Sequence, residues 1–504
     1  MYEGLTAYYG DLHSHCDVGY AHGSLADAFH NARQQLDFTC ITVHAHWPDM
    51  PRNDPRLDYL VAYHTRGFAR TAEQWPRVRE MVAAQHRDGA FVTFLGFEWH
   101  SNRYGDHNVY FKGAEGEIIR AGDMDDMRRA LDGYAARGIE TMLIPHHIGY
   151  KTGYRGYNWA EFNPRYISVV EIMSMHGASE SPAAPRPYLH TMGPRDWRST
   201  LQYGLQSGAL VGVIGSTDHH SAHPGSYGHG LAGVWADDLT RDGIWRAIRA
   251  RRTYALTGDR IALQFGLNDA VMGAVIPPTP ERHITVDVTG GSAIDTIEIV
   301  HNNRVIHHYA HLPPAGDPFA GPLKVHLEVG WGERGITTDW QADIRVEGGE
   351  LLAVEPRFRG YEIVAPQADE HEQYAFSAWQ RPAPDTVRFQ TRTWGNLTTT
   401  TPSMQGLSLE VRATPQTRLT GTINGQPVAV SITDLLDGPR VEYLSGFVSP
   451  AICFYRAVPQ AEYRARLTFP HTTAESRGRD WYYVRVRQQN DHWAWSSPIW
   501  VEGA

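Results

Sequence analysis

Cysteine is scarce in this chain: Cys16, Cys40 and Cys453 are the only three in 504 residues. They are too few and too scattered for a disulfide framework or a thiolate zinc site. Two of them lie in or beside the first apolar segments, where a small buried hydrophobe is the expected role. Basic charge is also short. A formal net charge of −10 and a sequence pI near 6.2 exclude a general nucleic-acid or anionic-membrane surface, which needs a basic face. No stretch reaches membrane-spanning length, and the opening MYEGLTAYYGDLH lacks a basic region followed by an apolar run. The expectation is a cytoplasmic protein with no membrane or nucleic-acid partner, unless a leader has been trimmed. No low-complexity tract argues for disorder, and 42% hydrophobic with 20% charged residues is ordinary globular composition.

Histidine and tryptophan, by contrast, are abundant, at 27 and 15 residues. Eighteen histidines precede residue 260 and nine follow it, which places the expected chemistry in the N-terminal half. A chain of 504 residues exceeds what one core serves, so two or more domains are expected.

Residues 10–50 carry His13, His15, His22, His44 and His46 around one strand, helix, strand unit. On a strand the side chains at i and i+2 share a face, so His13 and His15 can reach a single ion. Ser24 followed by Asp27 is a capping-box signal, and Leu25, Ala28, Phe29, Ala32 and Leu36 recur at helical spacing. Residues 38–43 form an almost wholly apolar strand of the kind found in parallel sheets covered on both faces. His44 and His46 emerge from its C-terminal end, where α/β sheets and barrels build their sites. An isolated histidine is usually a surface or hydrogen-bonded residue. Five within 34 residues, three of them beside strand ends, point to a metal site.

Residues 48–56 read as a loop leaving that strand end, with Trp47 before it and Asp49 within it. Strand and helix then alternate. A helix over 72–87 precedes a strand over 91–97 that ends in Glu98-Trp99-His100, and a short strand over 108–111 has His107 at its start. A helix over 124–136 leads to a strand over 140–144 and His146-His147; a strand over 166–172 contains Glu171. A helix over 195–206 leads to a strand over 209–214 that ends in the run Ser216-Thr217-Asp218-His219-His220, and a helix spans 244–251. This alternation, with ligating residue types at strand ends, is the signature of a parallel α/β barrel. Past residue 260 the period switches to two, in segments 283–288, 296–300, 407–412, 463–469 and 481–488. A boundary is expected near Gly258. It divides a barrel over 1–258 from a β-sandwich-rich region over 259–504, read either as one unit or as two modules meeting around 366–384. The aromatic run DWYYVRVRQ and the following HWAWSSPIW read as sandwich core and edge packing.

The order of these residues carries a resemblance: an HxH pair, a further His before a helix, a strand ending in His, a strand ending in Glu, a His after a Gly-containing loop, a Pro-His and a final DxH. It resembles the PHP (polymerase and histidinol phosphatase) superfamily. Within that superfamily it is similar to the DUF3604 group and the carbamate-hydrolase-like (CehA/McbA) metallohydrolases. The resemblance covers residues 9–260, and the ending WYYVRVRQ…AWSSPIWV is similar to the tail of that group. It implies a distorted (β/α)7 barrel and a trinuclear site of Zn, Mn or Fe. The first metal would be held by His13, His15, Glu98 and Asp218, the second by His22, His44 and His220. The third would take His107 and His146, with Glu98 bridging it to the first. The sequence departs from the common pattern in two places. Thr42-Val43-His44 stands where Thr-Asp-His is usual, and His22 supplies a position that is often Asp.

The residue types suit that chemistry without the name. Imidazoles with a few carboxylates fit Zn, Mn or Fe, and closely spaced ions lower the pKa of a bridging water and bind the oxygen on which charge develops. Glu98, His46 and His147 are the catalytic candidates, the two histidines as proton donors to a leaving group. Trp47, Arg103, Lys151 and His176 fall on loops at the ligand end and are candidates for substrate contact. Glu171 is placed to orient a ligand histidine. His219, His223 and His229 read as structural, and His30, His64 and His86 as helix-surface residues. The expected function is a metal-dependent hydrolase with two or three divalent ions, acting on a small-molecule phosphoester. A carbamate, amide or ester hydrolase is the rival enzyme reading. A carbohydrate-binding or scaffolding protein whose barrel has lost activity is the rival of another class, countered by a residue present at each of the nine ligand positions.

Overall fold

The structure, a computed structural model, describes residues 1–313, 315–361, 376–396, 402–473 and 478–503. The expected module junction at 366–384 therefore lies in part outside the described residues. The chain opens with β1 (Thr6–Asp11), α1 (Leu25–Gln35), β2 (Phe38–His46), α2 (Asp58–Gln85) and β3 (Val92–Trp99). It continues through β4 (His107–Phe111), α3 (Met124–Ala135), β5 (Thr141–Pro145), β6 (Val169–Ser174), β7 (Gly177–Ala178) and α4 (Leu201–Gln206). β8 (Gly212–Gly215), β9 (Leu231–Ala236), α5 (Arg241–Arg249) and β10 (Thr253–Leu256) complete this part.

Local chemistry accounts for the opening unit. The Ser24 hydroxyl accepts from Asp27 N at 3.1 Å and the Asp27 carboxylate accepts from Ser24 N at 3.3 Å, so two orphan donors of α1 are satisfied reciprocally. Leu25, Ala28, Phe29 and Ala32 face the core. All of β3, and all of β2 except His46, is buried, which explains their unbroken apolar runs.

The sheet is mixed rather than wholly parallel. β1, β2 and β3 pair in parallel, but β4 is antiparallel to both β3 and β5, and β9 to both β1 and β10. The link from β3 to β4 is only residues 100–106, too short for a parallel crossover. β6 pairs in parallel with β8 and meets β5 through a Leu143 to Ile167 bridge. β8 then lies against β9 and β10 so closely that a Cβ on Gly215 would stand 2.8 Å from the carbonyls of Leu231 and Leu256. β9 is an apolar strand that the sequence reading did not foresee. α2 begins well before the expected helix, because an Asp54-capped 3-10 turn over Pro55–Leu57 feeds straight into it. The expected helix over 195–206 shrinks to a 3-10 turn, Trp197–Ser199, and α4.

Past β10 the alternating segments form antiparallel sheets. A six-stranded and a five-stranded sheet enclose a core that includes Leu327, Trp340, Ile344, Phe389, Leu407 and Leu409. The aromatic run lies elsewhere. Strands Asp480–Gln488, Trp493–Ser496 and Ile499–Val501 extend the sheet of β10, Ala255 pairing with Trp495. The segment after strand Glu350–Arg357 returns to the N-terminal part. Tyr227 N donates to Phe358 O at 2.9 Å, Gly360 N to Ser226 Oγ at 3.0 Å, and Ser221 Oγ to Tyr361 O. It thereby braces the loop that follows β8. Among the described residues no helix is long and apolar enough to cross a membrane.

Candidate metal centre

The HxH pair follows β1 and the DxH run follows β8, and backbone bonds zip the two segments together. His15 N donates to His219 O at 2.8 Å and Asp218 N to His13 O at 2.7 Å. Asp11, fully buried, locks the join. Its Oδ1 accepts from His13 N at 3.0 Å and Thr217 N at 3.1 Å, and its Oδ2 from Gly225 N at 2.8 Å and the Thr217 hydroxyl. Burial pushes the Asp11 carboxyl pKa up, opposed by those four donors. In parallel register His44 stands beside Glu98, so β2 and β3 deliver a ligand pair to the same end.

Among the described residues five groups of donor atoms result, the atoms within each lying within 4.8 Å of one another: His13, His15 and Asp218; His15, His44 and His220; His44, Glu98 and His100; His13, His146 and Glu171; and Glu98, Asp106, His146 and His147. Asp218 Oδ1 lies 2.9 Å from His15 Nε2 and 3.2 Å from His13 Nε2. Glu98 spans the groups, with Oε2 at 3.2 Å from His44 Nε2 and Oε1 at 2.9 Å from His146 Nε2. His176 Nε2 reaches Asp218 Oδ2 at 3.0 Å, while its Nδ1 faces the Tyr150 hydroxyl at 3.1 Å.

Proton positions follow from the partners. Burial, with Asp218 and Asp11 adding repulsion, holds the Glu171 pKa well above the usual carboxylate range; as a carboxylate, its Oε2 at 3.0 Å accepts from His13 Nδ1, and His13 Nε2 then presents a lone pair. That lone pair faces a carboxylate oxygen at 3.2 Å, with His15 Nε2 at 3.1 Å from it and 2.9 Å from the same oxygen, three potential ligand atoms at one point. The same logic fixes His220, whose Nδ1 donates to the Asp218 carbonyl at 2.8 Å. Burial lowers the pKa of the imidazoles: His15 and His147 are pushed down to about 4 and His100 to about 3, with His13, His44, His146 and His220 lowered as well. They are therefore neutral at pH 7, the state in which imidazole ligates. Burial, with Asp106 and Asp218 adding repulsion, holds the Glu98 pKa well above the usual carboxylate range. Burial would raise Asp106 too, but Arg155 and His100 hold it well below that range. Four buried carboxylates crowded among neutral imidazoles are the electrostatic signature of a cation site.

The structure brings together most, but not all, of the expected residues. His13, His15, His44, Glu98, His146, Asp218 and His220 converge, with His147 and His176 beside them. His107 does not join them: on β4 it pairs with Trp99 while Asn108 pairs with Glu98, which places it on the opposite face of the sheet, against Trp99 and Tyr157. His22 is half-buried, its backbone N donating to His220 O at 2.9 Å, and its ring belongs to none of the donor groups. His46 is turned aside by a bulge between His44 and His46 and lies near Ala121 and Arg120. Trp47 is buried beside His64 and His100. Arg103 and Lys151 are exposed and lie over the rings of Tyr104 and Tyr154. His64, expected on a helix surface, is buried against Tyr20 and Trp47. Three residues at the centre were missed: His100, Asp106 and Arg155. His100 stands two residues past Glu98, the same i and i+2 spacing that flags His13 and His15; Asp106 and Arg155 carry no comparable signal.

The fold and this cluster define a candidate metal centre in a mixed α/β protein. The family described as "Protein of unknown function (DUF3604)" matches residues 216–271, the segment that carries Asp218 and His220. The chain is 30% identical over 254 residues to an uncharacterised protein of Chlamydia pneumoniae, covering 47% of this chain and 40% of that one. It is 29% identical over 171 residues to an uncharacterised protein of Chlamydia trachomatis serovar D, covering 31% and 28%. The matches thus span two fifths or less of the length of these curated relatives. A crystal structure of a two-domain protein containing a predicted PHP-like metal-dependent phosphoesterase, from Bacteroides vulgatus, aligns at 12% identity and a TM-score of 0.31, covering 93% of this chain and 96% of that one.

Proposed function

We propose that this chain is a multinuclear metal-dependent hydrolase that cleaves phosphoesters of a small molecule in the cytoplasm. In this reading residues 1–258, arranged as a PHP-type variant of a (β/α)7 barrel, carry the reaction and the β-rich remainder braces it. The observation that carries the reading is the facing of His13 Nε2 and Asp218 Oδ1 across 3.2 Å with the His13 proton committed to Glu171. His13, His15, His44, Glu98, His146, Asp218 and His220 would hold the ions. Bound Zn, Mn or Fe would supply Lewis acidity that activates a water and polarises the scissile centre. Glu98 spans both sides of the cluster and keeps its imidazoles aligned. Glu171 and Asp11 orient His13 and the DxH segment. His147, neutral at pH 7 and held by Asp106 at 3.2 Å, is fit to ligate or accept a hydrogen bond rather than to deliver a proton.

One observation favours a second reading, cleavage of a carbamate, amide or ester as in the narrower resemblance. Tyr20 stacks on His44 at 3.6 Å, with Phe68 and Trp47 beside His100, an aromatic wall that suits an uncharged aryl group. A chromogenic panel of phosphate mono-, di- and triesters beside aryl esters and carbamates, run with Mn or Zn, separates the two. Phosphoester turnover lost to a chelator and restored by metal is expected. Turnover of esters or carbamates alone moves the assignment to the second reading. Fewer than one metal per chain after careful purification leaves a binding or scaffolding protein instead.

A further inference from the structure

The group Glu98, Asp106, His146 and His147 already contains a cation. Arg155 Nη2 contacts Asp106 Oδ2, lies 2.7 Å from His100 Nδ1, and is 3.9 Å from Glu98 Oε1. His147 Nε2 reaches the same Asp106 oxygen at 3.2 Å. The guanidinium is clamped from outside by the Trp47 ring at 5.1 Å and by Met192 Sδ at 3.3 Å. Its backbone is held as firmly: Arg155 adopts a left-handed φ of 69°, unfavourable for a residue with a Cβ, and its N donates to Asn102 O at 3.2 Å. An arginine placed there cannot lose its charge.

Charge counting gives the consequence. The four carboxylates of the donor groups, Glu98, Asp106, Glu171 and Asp218, carry four negative charges when every one is ionised; Asp11 lies outside those groups, behind the His13 backbone. Two divalent ions and Arg155 leave one positive charge over, which a hydroxide or an anionic substrate oxygen neutralises. A third divalent ion beside the guanidinium would leave three, buried and uncompensated. We propose that Arg155 takes the place of a third metal ion, so that the centre holds two divalent ions and one fixed guanidinium at the corner formed by Glu98, Asp106, His146 and His147. The assignment rests on the metal-hydrolase reading and specifies its stoichiometry. It also replaces the trinuclear site that the family resemblance implies.

Elemental analysis tests it on the full chain, equilibrated with excess Mn or Zn and desalted, for wild type, Arg155→Gln and Arg155→Lys. Circular dichroism and thermal melts of each form serve as the check on folding. Two ions per chain are expected in wild type and in Arg155→Lys, which keeps the charge. Arg155→Gln is expected to take up a third, bound at least about a hundredfold more tightly than in wild type. Three ions in wild type overturn the assignment, as does a folded Arg155→Gln that stays at two. If Arg155→Gln does not fold, the wild-type stoichiometry alone decides. Fewer than one ion in every form sinks the hydrolase reading itself, whereas three in wild type sinks only the role given to Arg155.

Discussion

Asp11→Asn probes the join on which the metal centre is built. The wild-type carboxylate accepts four hydrogen bonds, two from the HxH side and loop after β8 through backbone N–H groups of His13 and Gly225, and two from Thr217. An asparagine of the same shape keeps one oxygen, which satisfies two of the four donors. Its amide nitrogen then faces Gly225 N, donor against donor, in a space fully closed to water, while the Thr217 hydroxyl can turn to accept from the amide and donate to His13 O. A buried group left unpaired costs about 1–3 kcal/mol, so the substitution, which strands the Gly225 N–H, should destabilise the protein by about 1–3 kcal/mol. The ligand segments should also loosen, and metal affinity should fall about 10–100-fold, as it does when groups orienting metal ligands are removed. Thr217→Val removes a single hydroxyl donor and should cost about 1–2 kcal/mol. Denaturant melts with and without metal, together with a competition assay for metal affinity, read both effects. Stability within about 0.5 kcal/mol of wild type, with metal affinity unchanged, would refute the reasoning.

Glu171→Gln keeps an acceptor oxygen but removes the charge facing His13 Nδ1, and should weaken metal binding about 10–100-fold with little change in fold, read by metal titration and circular dichroism. Gly360→Ala should lower stability by about 1–3 kcal/mol, because its Cβ would stand 2.3 Å from His219 Cε1 and 2.5 Å from His223 Cβ; a thermal melt and the bound metal content check it. The pH dependence of stability can be assigned to a histidine outside the metal centre. Burial pushes His492 down to about 4, and its Nδ1 faces the Thr257 hydroxyl at 2.9 Å. The lowered value means that its stabilisation is complete above about pH 6.5 and is lost as pH falls through about 4, an effect of about 2–3 kcal/mol by pH 4.5. His492→Asn should narrow the difference between melts at pH 7 and pH 4.5 by that amount; an unchanged difference would rule the residue out.

The parts of the site legible in the sequence are those set by local period. His13 and His15 share a face because an extended chain repeats every two residues, and His44 and Glu98 sit together because two buried, largely apolar parallel strands end at the same level. Asp218 and His220 lie past the end of β8, with Asp218 in a left-handed conformation at φ 53°, and there the residue types rather than a strand period carried the reading. Register and bulges are not written in local period, and there the reading failed. His46 keeps the right spacing but a bulge turns it away, and His107 is paired opposite Trp99 rather than Glu98. His100 was within reach of the spacing argument applied to His13 and His15. Arg155 was not, because it reaches the cluster from a left-handed turn that no pattern marks. The same division holds for the fold. The alternating C-terminal strands, such as Asp480–Gln488, were foreseen, but their attachment to the sheet of β10 depends on pairings over more than 200 residues of chain.

The central claim is that distant nitrogen and oxygen donors enclose cations. Crystals of the metal-loaded protein, measured on either side of the Mn or Zn absorption edge, test it most directly. The account predicts two anomalous peaks, one between His13 and Asp218 and one between His44 and His220, with His15 ligating one of the two ions, each peak within about 2.0–2.3 Å of its ligand atoms. A map with no peak among these residues, at full metal load and with the side chains placed as described, would contradict it.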